Sequence, residues 1–239
     1  MASLEGSIQV VPMLTEREAT KACGIVHELR DHWIHRHAVL PFYTLGAASY
    51  LDATGGRFAA YQELARRSNP VLAEHFGWLF NRVRQGFESL VGKPVSFGDR
   101  LALPGFHVFL AHPAFGEAPA SIHYDLQYQG IDWSEVGAVD TADQRSLTLS
   151  VSLPAAGAGL RIWDIDAREM ARLTVEEQRA RRAANRQPTY VPYTVGSLVI
   201  HTGHHLHQIA PLRDQRPEDE RITLQAHAVP TGDRWVMYW

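Results

Sequence analysis

Two side chains in the stretch Ser121–Tyr128 are chemically suited to hold a metal: the imidazole of His123 and the carboxylate of Asp125. The stretch reads as extended chain, where residues two apart share one face. A histidine and a carboxylate meeting at one point suit a divalent transition metal, provided a third ligand arrives from elsewhere. Histidines crowd a later run, Gly196–Pro211, at positions 201, 204, 205 and 207. Beyond it, Arg221 and Thr223 share a face of another extended run, and a guanidinium beside a hydroxyl is a good grip for a carboxylate. Gln225 and His227 follow with the same parity, so all four face one interior. One His-x-Asp carries little weight in a chain with 13 histidines, and an arginine on a strand is most often a surface residue. The ordered conjunction carries the weight.

These residues need a scaffold, and the sequence supplies two textures. Thr15–Glu18 has the form of a capping box, followed by a stripe of Ala19, Ala22, Val26, Leu29 and Trp33. His32, His35 and His37 are expected at the C-terminal end of that helix, where the macrodipole favours them. Leu40–Gly46 reads as a buried loop. A short helix over Phe58–Arg66 is expected to end at Ser68–Pro70, where a second begins, carrying Leu72, Phe76, Leu79, Phe80, Val83, Phe87 and Leu90 on one face.

From Pro94 onwards, short β-rich runs alternate with Pro, Gly and Asp. They are His107–Ala111, Ser121–Tyr128, Ser146–Leu153, Gly159–Trp163, Tyr190–His201, His205–Ala210, Arg221–Val229 and Trp235–Trp239. Seven or eight strands at this spacing read as a barrel or sandwich. Ser146–Leu153 alternates polar and apolar, which implies one buried face and one that is not. A helical insertion near 164–187 interrupts the strands, with a second capping box at Thr174–Glu177 and a solvated basic face from Arg179, Arg181, Arg182 and Arg186; a lid or a partner surface is one use for it. The expectation is an α+β chain forming a single domain over 1–239, with a helical support region over 1–93 packed on a β core over 94–239.

Composition narrows the function. A net charge of −3 gives no basic footprint for nucleic acid. The single cysteine, Cys23, excludes an intrachain disulfide and fits a reducing, cytoplasmic compartment. Met1–Gly6 lacks the basic and apolar regions of a signal peptide, and no apolar run approaches the ~20 residues of a membrane-spanning helix.

The order His-x-Asp, glycine-anchored strand, distal His and then Arg-x-Thr resembles the iron(II)/2-oxoglutarate-dependent oxygenases over roughly residues 94–229. Leu147–Leu153 and the glycine turn at Gly157–Trp163 look similar to that family's central strands. The resemblance implies a double-stranded β-helix (jelly-roll) core. It also implies Fe(II) held by His123, Asp125 and His207, and 2-oxoglutarate anchored by Arg221 and Thr223. His207 is preferred because His207–Pro211 has the family's form of distal histidine; His204 and His205 remain alternatives, with His201 close by. The departures are a longer gap between His207 and Arg221, filled by the charged run Arg213–Glu220, and the insertion.

Such a site uses O2 and 2-oxoglutarate to attack an unactivated C–H bond. Halogenating members of the family have Ala or Gly where Asp125 stands, so the carboxylate points to hydroxylation, with desaturation, cyclisation and epimerisation using the same ligands. The run Leu40–Ala47 and the Trp-rich C-terminus are similar to small stand-alone oxygenases and halogenases of free amino acids. That second resemblance implies a small polar substrate, an amino acid or natural-product intermediate. Its carboxylate would be held by Arg66 or Arg67 and its body by His107, Gln225, His227, Trp235 and Trp239. Rival readings are a zinc-binding β-barrel, structural or hydrolytic, and a cupin-type dioxygenase. Arg221 and Thr223 argue against the first, and a missing Glu after a His-x-His argues against the second.

Overall fold

The capping box at Thr15 forms: its hydroxyl accepts from the Glu18 amide, and the Glu18 carboxylate accepts from the Thr15 amide at 2.9 Å. The computed structural model describes residue 4, residues 6–117 and residues 120–239, so the reading of Met1–Gly6 falls mostly outside the described residues. The N-terminal part comprises β1 (Ile8–Pro12), α1 (Glu16–Glu28), β2 (Ile34–His35), β3 (Phe42–Leu45), α2 (Ser49–Asp52) and α3 (Phe58–Val91). There follow β4 (Val95–Phe97), β5 (Gly105–Leu110), β6 (Arg145–Ser152), β7 (Ala156–Gly157), β8 (Leu160–Asp166), α4 (Ala167–Met170) and α5 (Val175–Ala184). The chain closes with β9 (Thr189–Val191), β10 (Ser197–His201), β11 (His205–Ile209), β12 (Leu212–Arg213), β13 (Glu220–Thr231) and β14 (Arg234–Tyr238).

Helices and antiparallel sheets are thus combined. Among the described residues, nine strands form one sheet in the order β1-β10-β6-β13-β5-β3-β2, with β14 paired to β13 and β4. A second sheet has the order β11-β8-β9, and β7 pairs with β12. Strand alternation divides the large sheet sharply. Ile222, Leu224, Ala226 and Ala228 of β13 join Leu147, Leu149 and Val151 of β6 in a core with Val26 of α1 and Leu72, Phe76, Leu79 and Phe87 of α3. The opposite face carries the polar residues and lines a cavity shared with β8 and β11 of the second sheet. No helix among the described residues is long and apolar enough to cross a membrane.

Several expectations are corrected. Phe58–Val91 is one continuous helix with Pro70 inside it. Pro70 forfeits one helical hydrogen bond, a cost of ~3 kcal/mol, but the buried row Leu72, Phe76, Leu79 and Phe80 holds the helix to the sheet. Asn69, read as a breaker, pins the helix to the loop: its amide donates to Leu101 O at 2.9 Å and its carbonyl accepts from Leu103 N at 3.0 Å.

The first helix ends at Glu28, so His32, His35 and His37 lie beyond it; His35 stacks on Tyr43 and His37 Nδ1 caps the Leu40 amide. Leu40–Gly46 is no loop throughout, because Phe42–Leu45 is β3, paired to β5. With β1, β2 and β3 in the large sheet, the region before residue 94 is not purely a helical support. Tyr190–His201 splits into β9 and β10, which join different sheets. The polar face of β6 is buried as well as its apolar face, since Ser146, Thr148 and Ser150 all turn into the protein. The insertion is helical as expected, its capping box at Thr174 intact.

Candidate active site

Ser121–Tyr128 is not a regular strand. His123 and His207 exchange both backbone hydrogen bonds at 2.9 Å, a single antiparallel bridge, and the Asp125 amide donates to Gly203 O at 2.8 Å. These anchors hold His123 and Asp125 on one side without a strand to carry them. Gly203 permits the approach: any Cβ there would overlap Asp125 and the side chains of Gln144 and Ser146.

His123, Asp125 and His207 come together, each offering one ligand atom with all three within 4.8 Å of one another. His123 Nδ1 donates to Ser121 O and His207 Nδ1 to His205 O, each at 2.8 Å. Both imidazoles therefore present an Nε2 lone pair inward, the tautomer and orientation metal-binding histidines adopt. The Nε2 atoms lie 3.6 and 3.3 Å from the Asp125 oxygens. Burial by itself raises the Asp125 carboxyl, but the His207 imidazole outweighs it and holds the group well below the usual carboxylate range. Burial lowers His207 and Asp125 more than restores it, a net rise. Two imidazoles and a carboxylate on one side of an open cavity fit a divalent first-row transition metal with free coordination positions, the metal taking the place of any proton on His207.

The alternative ligands lie elsewhere. A register shift lies between His205 and His207, His205 does not line the cavity, and both of its ring nitrogens are buried without partners. His204 faces Tyr128, its Nε2 at 3.4 Å from the phenol oxygen. His201 lies edge-on to His207 with ring centroids 4.7 Å apart and lines the cavity, but no carboxylate joins it.

The cavity has a volume of about 510 Å³, and Arg221 lines it together with His123, Asp125 and His207. Arg221 is 1% exposed and forms no ion pair with any described residue. Its contacts are Thr223 Oγ1 at 3.1 Å, Ala158 O at 3.4 Å and the rings of Phe109 and Tyr193, with its charge 5.5 and 5.6 Å from their centroids. Burial pulls the guanidinium below its ordinary pKa. A buried cation without a counter-ion is costly, and an anion in the cavity would relieve it.

Thr223 is set up to help. Its oxygen accepts from Arg221 Nη1 and, at 2.7 Å, from the Gln225 amide, so its own proton is left free to donate. The Gln225 carbonyl in turn accepts from Thr148 Oγ1 at 3.0 Å. The donor set fits a carboxylate of 2-oxoglutarate.

The remaining expected substrate residues divide. His107, Gln225, His227 and Trp239 line the cavity. His107 is paired with the Tyr50 hydroxyl at 2.8 Å. His227 acts largely behind Asp125: it contacts the Gln127 amide and lies 3.2 Å from Ser146 Oγ, which donates to Asp125 Oδ2 at 2.6 Å. Trp239 lies past the end of β14 with its ring over Gly105, where a Cβ would overlap it.

Trp235 is corrected. It pairs with Pro230, whose parity is that of the helix-facing residues, and it packs on Phe87 with ring centroids 5.3 Å apart. Arg66 and Arg67 are corrected too. Their side chains are 71% and 70% exposed on the outer side of α3, both paired with Glu63. Tyr50, Gln127, Ser146 and Tyr193 were not singled out from the sequence. Ser146 had a signal in strand parity, but Tyr193 lies in an irregular link between β9 and β10 and had none.

No family model matches the chain, and no curated protein matches it. Solved structures do. An N-substituted L-amino acid dioxygenase from Burkholderia ambifaria AMMD, in complex with alpha-KG, superposes with a TM-score of 0.59 at 17% identity, over 98% of this chain and 86% of that one. The chain shares its fold. The alpha ketoglutarate dependent epimerase SnoN from nogalamycin biosynthesis matches with a TM-score of 0.52 at 13% identity, over 97% of this chain and 93% of its own. SnoN in complex with Fe3+, alpha ketoglutarate and nogalamycin RO matches with a TM-score of 0.51 at 13% identity and the same coverage.

Proposed function

We propose that the protein is an Fe(II)/2-oxoglutarate-dependent oxygenase that hydroxylates an unactivated C–H bond of a small molecule. The observation that carries the reading is Arg221, a buried guanidinium without a counter-ion in the same cavity as His123, Asp125 and His207. A structural or hydrolytic zinc site has no use for it. The whole chain would be one domain, its two facing sheets forming a double-stranded β-helix, in a cytoplasmic setting that suits the free thiol of Cys23.

In this reading His123, Asp125 and His207 hold the metal, and Arg221 and the Thr223 hydroxyl hold the far carboxylate of 2-oxoglutarate. When bound, the metal supplies O2 chemistry that converts substrate, O2 and 2-oxoglutarate into hydroxylated product, succinate and CO2. The chain's part is placement. The relay from Gln127 through His227 and Ser146 keeps the Asp125 carboxylate oriented. Asp125 also fills the position a halide would need, which supports hydroxylation over halogenation.

The substrate side is walled by Phe42, Tyr124 and Trp239, with neutral donors and acceptors from Tyr50, His107 and Thr54. Arg221 is the only Lys or Arg among the described lining residues, so nothing replaces Arg66 as an anchor for a free amino acid's carboxylate. This supports a natural-product intermediate with an apolar or aromatic body over a free amino acid. The test is anaerobic addition of Fe(II) and 2-oxoglutarate. A visible charge-transfer absorption is expected, followed by succinate release in air; absence of both sinks the reading.

A further inference from the structure

A second concavity, of about 650 Å³, lies away from the metal ligands and is lined by charged groups of one sign. Along β8, Leu160 and Ile162 face inward to Val199, so Arg161 projects to the outer face of the sheet. Tyr190 of β9 sits directly across from Arg161, and Trp163 lines the same groove two residues on. The β7–β12 pair closes one end and contributes Arg213, opposite Ala156. The segment after α5 closes the other with Arg186, whose carbonyl accepts from Trp163 Nε1 at 3.2 Å.

The groove therefore collects three arginines, and none of its described lining residues is acidic, in a chain whose net charge is −3. Among the described residues none of the three forms an ion pair. That is not the habit of this region: Arg168 is paired with Asp166, and Arg181 with Asp164 and Glu169. Three guanidinium forks without carboxylates suit a multiply charged anion, phosphate or carboxylate. Tyr190, 49% exposed beside Arg161, offers a ring face for stacking. The volume lies within the range of ~300–1,000 Å³ typical of small-ligand sites.

We propose that this groove binds a planar organic polyanion, a nucleoside diphosphate being the chemical type, through Arg161, Arg186 and Arg213 with stacking on Tyr190. The site is independent of the oxygenase reading. Arg161 pairs with Gln208 of β11, whereas the neighbouring His207 turns to the opposite face and the metal cavity.

Isothermal titration of the protein with ADP tests it, with Arg221→Met titrated alongside to separate any binding in the metal cavity. Saturable ADP binding is expected, weakened on the order of tenfold by Arg161→Gln and again by Arg213→Gln, with Arg161→Lys recovering part of the loss. Pyrophosphate and citrate are expected to bind more weakly than ADP, their ratio showing whether phosphate or carboxylate is preferred. Adenosine is expected not to bind. The proposal is overturned by the absence of saturable ADP heat, by affinity unchanged in both glutamine variants, or by adenosine binding as tightly as ADP. Pyrophosphate matching ADP would remove the planar group from the ligand's description and overturn the proposal as stated.

Discussion

The two faces of the large sheet are made by the same strands and behave oppositely. On β13, Ile222, Leu224, Ala226 and Ala228 pack against α1 and α3, while Arg221, Gln225 and His227 line the cavity and Thr223 is bonded to Arg221 behind it. One face removes apolar area from water and stabilises the fold. The other places a cation and several hydrogen-bonding groups where burial is unfavourable unless something binds. The contrast teaches that stability and chemistry are separated by one residue of register, and each face can be perturbed without the other.

The largest expected effect is on the polar face. Asp125→Ala should bring 2-oxoglutarate turnover to background while the thermal midpoint of the metal-free chain moves little, measured by succinate assay and calorimetry. Loss of folding instead would show that the cavity face also carries the core. The reverse experiment is Phe76→Ala on α3. It should cost ~3–5 kcal/mol of stability in denaturant titration, with 2-oxoglutarate affinity of the folded protein within about twofold of the parent.

Arg221→Met sharpens the comparison, because it should act with opposite signs on binding and on folding. Affinity for 2-oxoglutarate should fall on the order of 100-fold, while the metal-free protein gains about 1 kcal/mol or more from removing a buried charge without a counter-ion. Equal or lower stability would mean that Tyr193, Phe109 and Ala158 already satisfy the guanidinium.

The smallest effect on function is expected at Cys23, on the helix side. Burial, and next the Glu220 carboxylate, push its thiol up to about 12. An acid with a raised pKa stays protonated, so alkylation by iodoacetamide should be slow at pH 8, still be rising at pH 10, and leave turnover unchanged. A plateau near pH 8.5 would show an ordinary thiol.

Much of this was legible from residue order. The polar parity of Arg221, Thr223, Gln225 and His227, the two capping boxes and the apolar stripe of α3 are local patterns, and strand and helix periods turn them into faces. The misreadings share a cause. Pro70 reads as a helix break because propensity is local, yet contacts with the sheet decide the outcome. Trp235 and Trp239 have the same parity, but the chain leaves the strand after Tyr238 and only Trp239 turns to the cavity. Arg66 and Arg67 are assigned by helix phase, which depends on α3 running unbroken through Pro70.

Residue order alone specifies which groups could bind a metal and an anion, and which residues of each strand would share a face. For the third ligand it favoured His207 through the family resemblance, with His204 and His205 as alternatives. The tertiary structure brought His207 to the pair: the bridge between His123 and His207 and the register shift beside His205 are contacts between segments some 80 residues apart, which no local period encodes. The hydrogen bond from Ser146 to Asp125, across 21 positions, and the three-arginine groove arise in the same way, from strand pairing rather than from spacing.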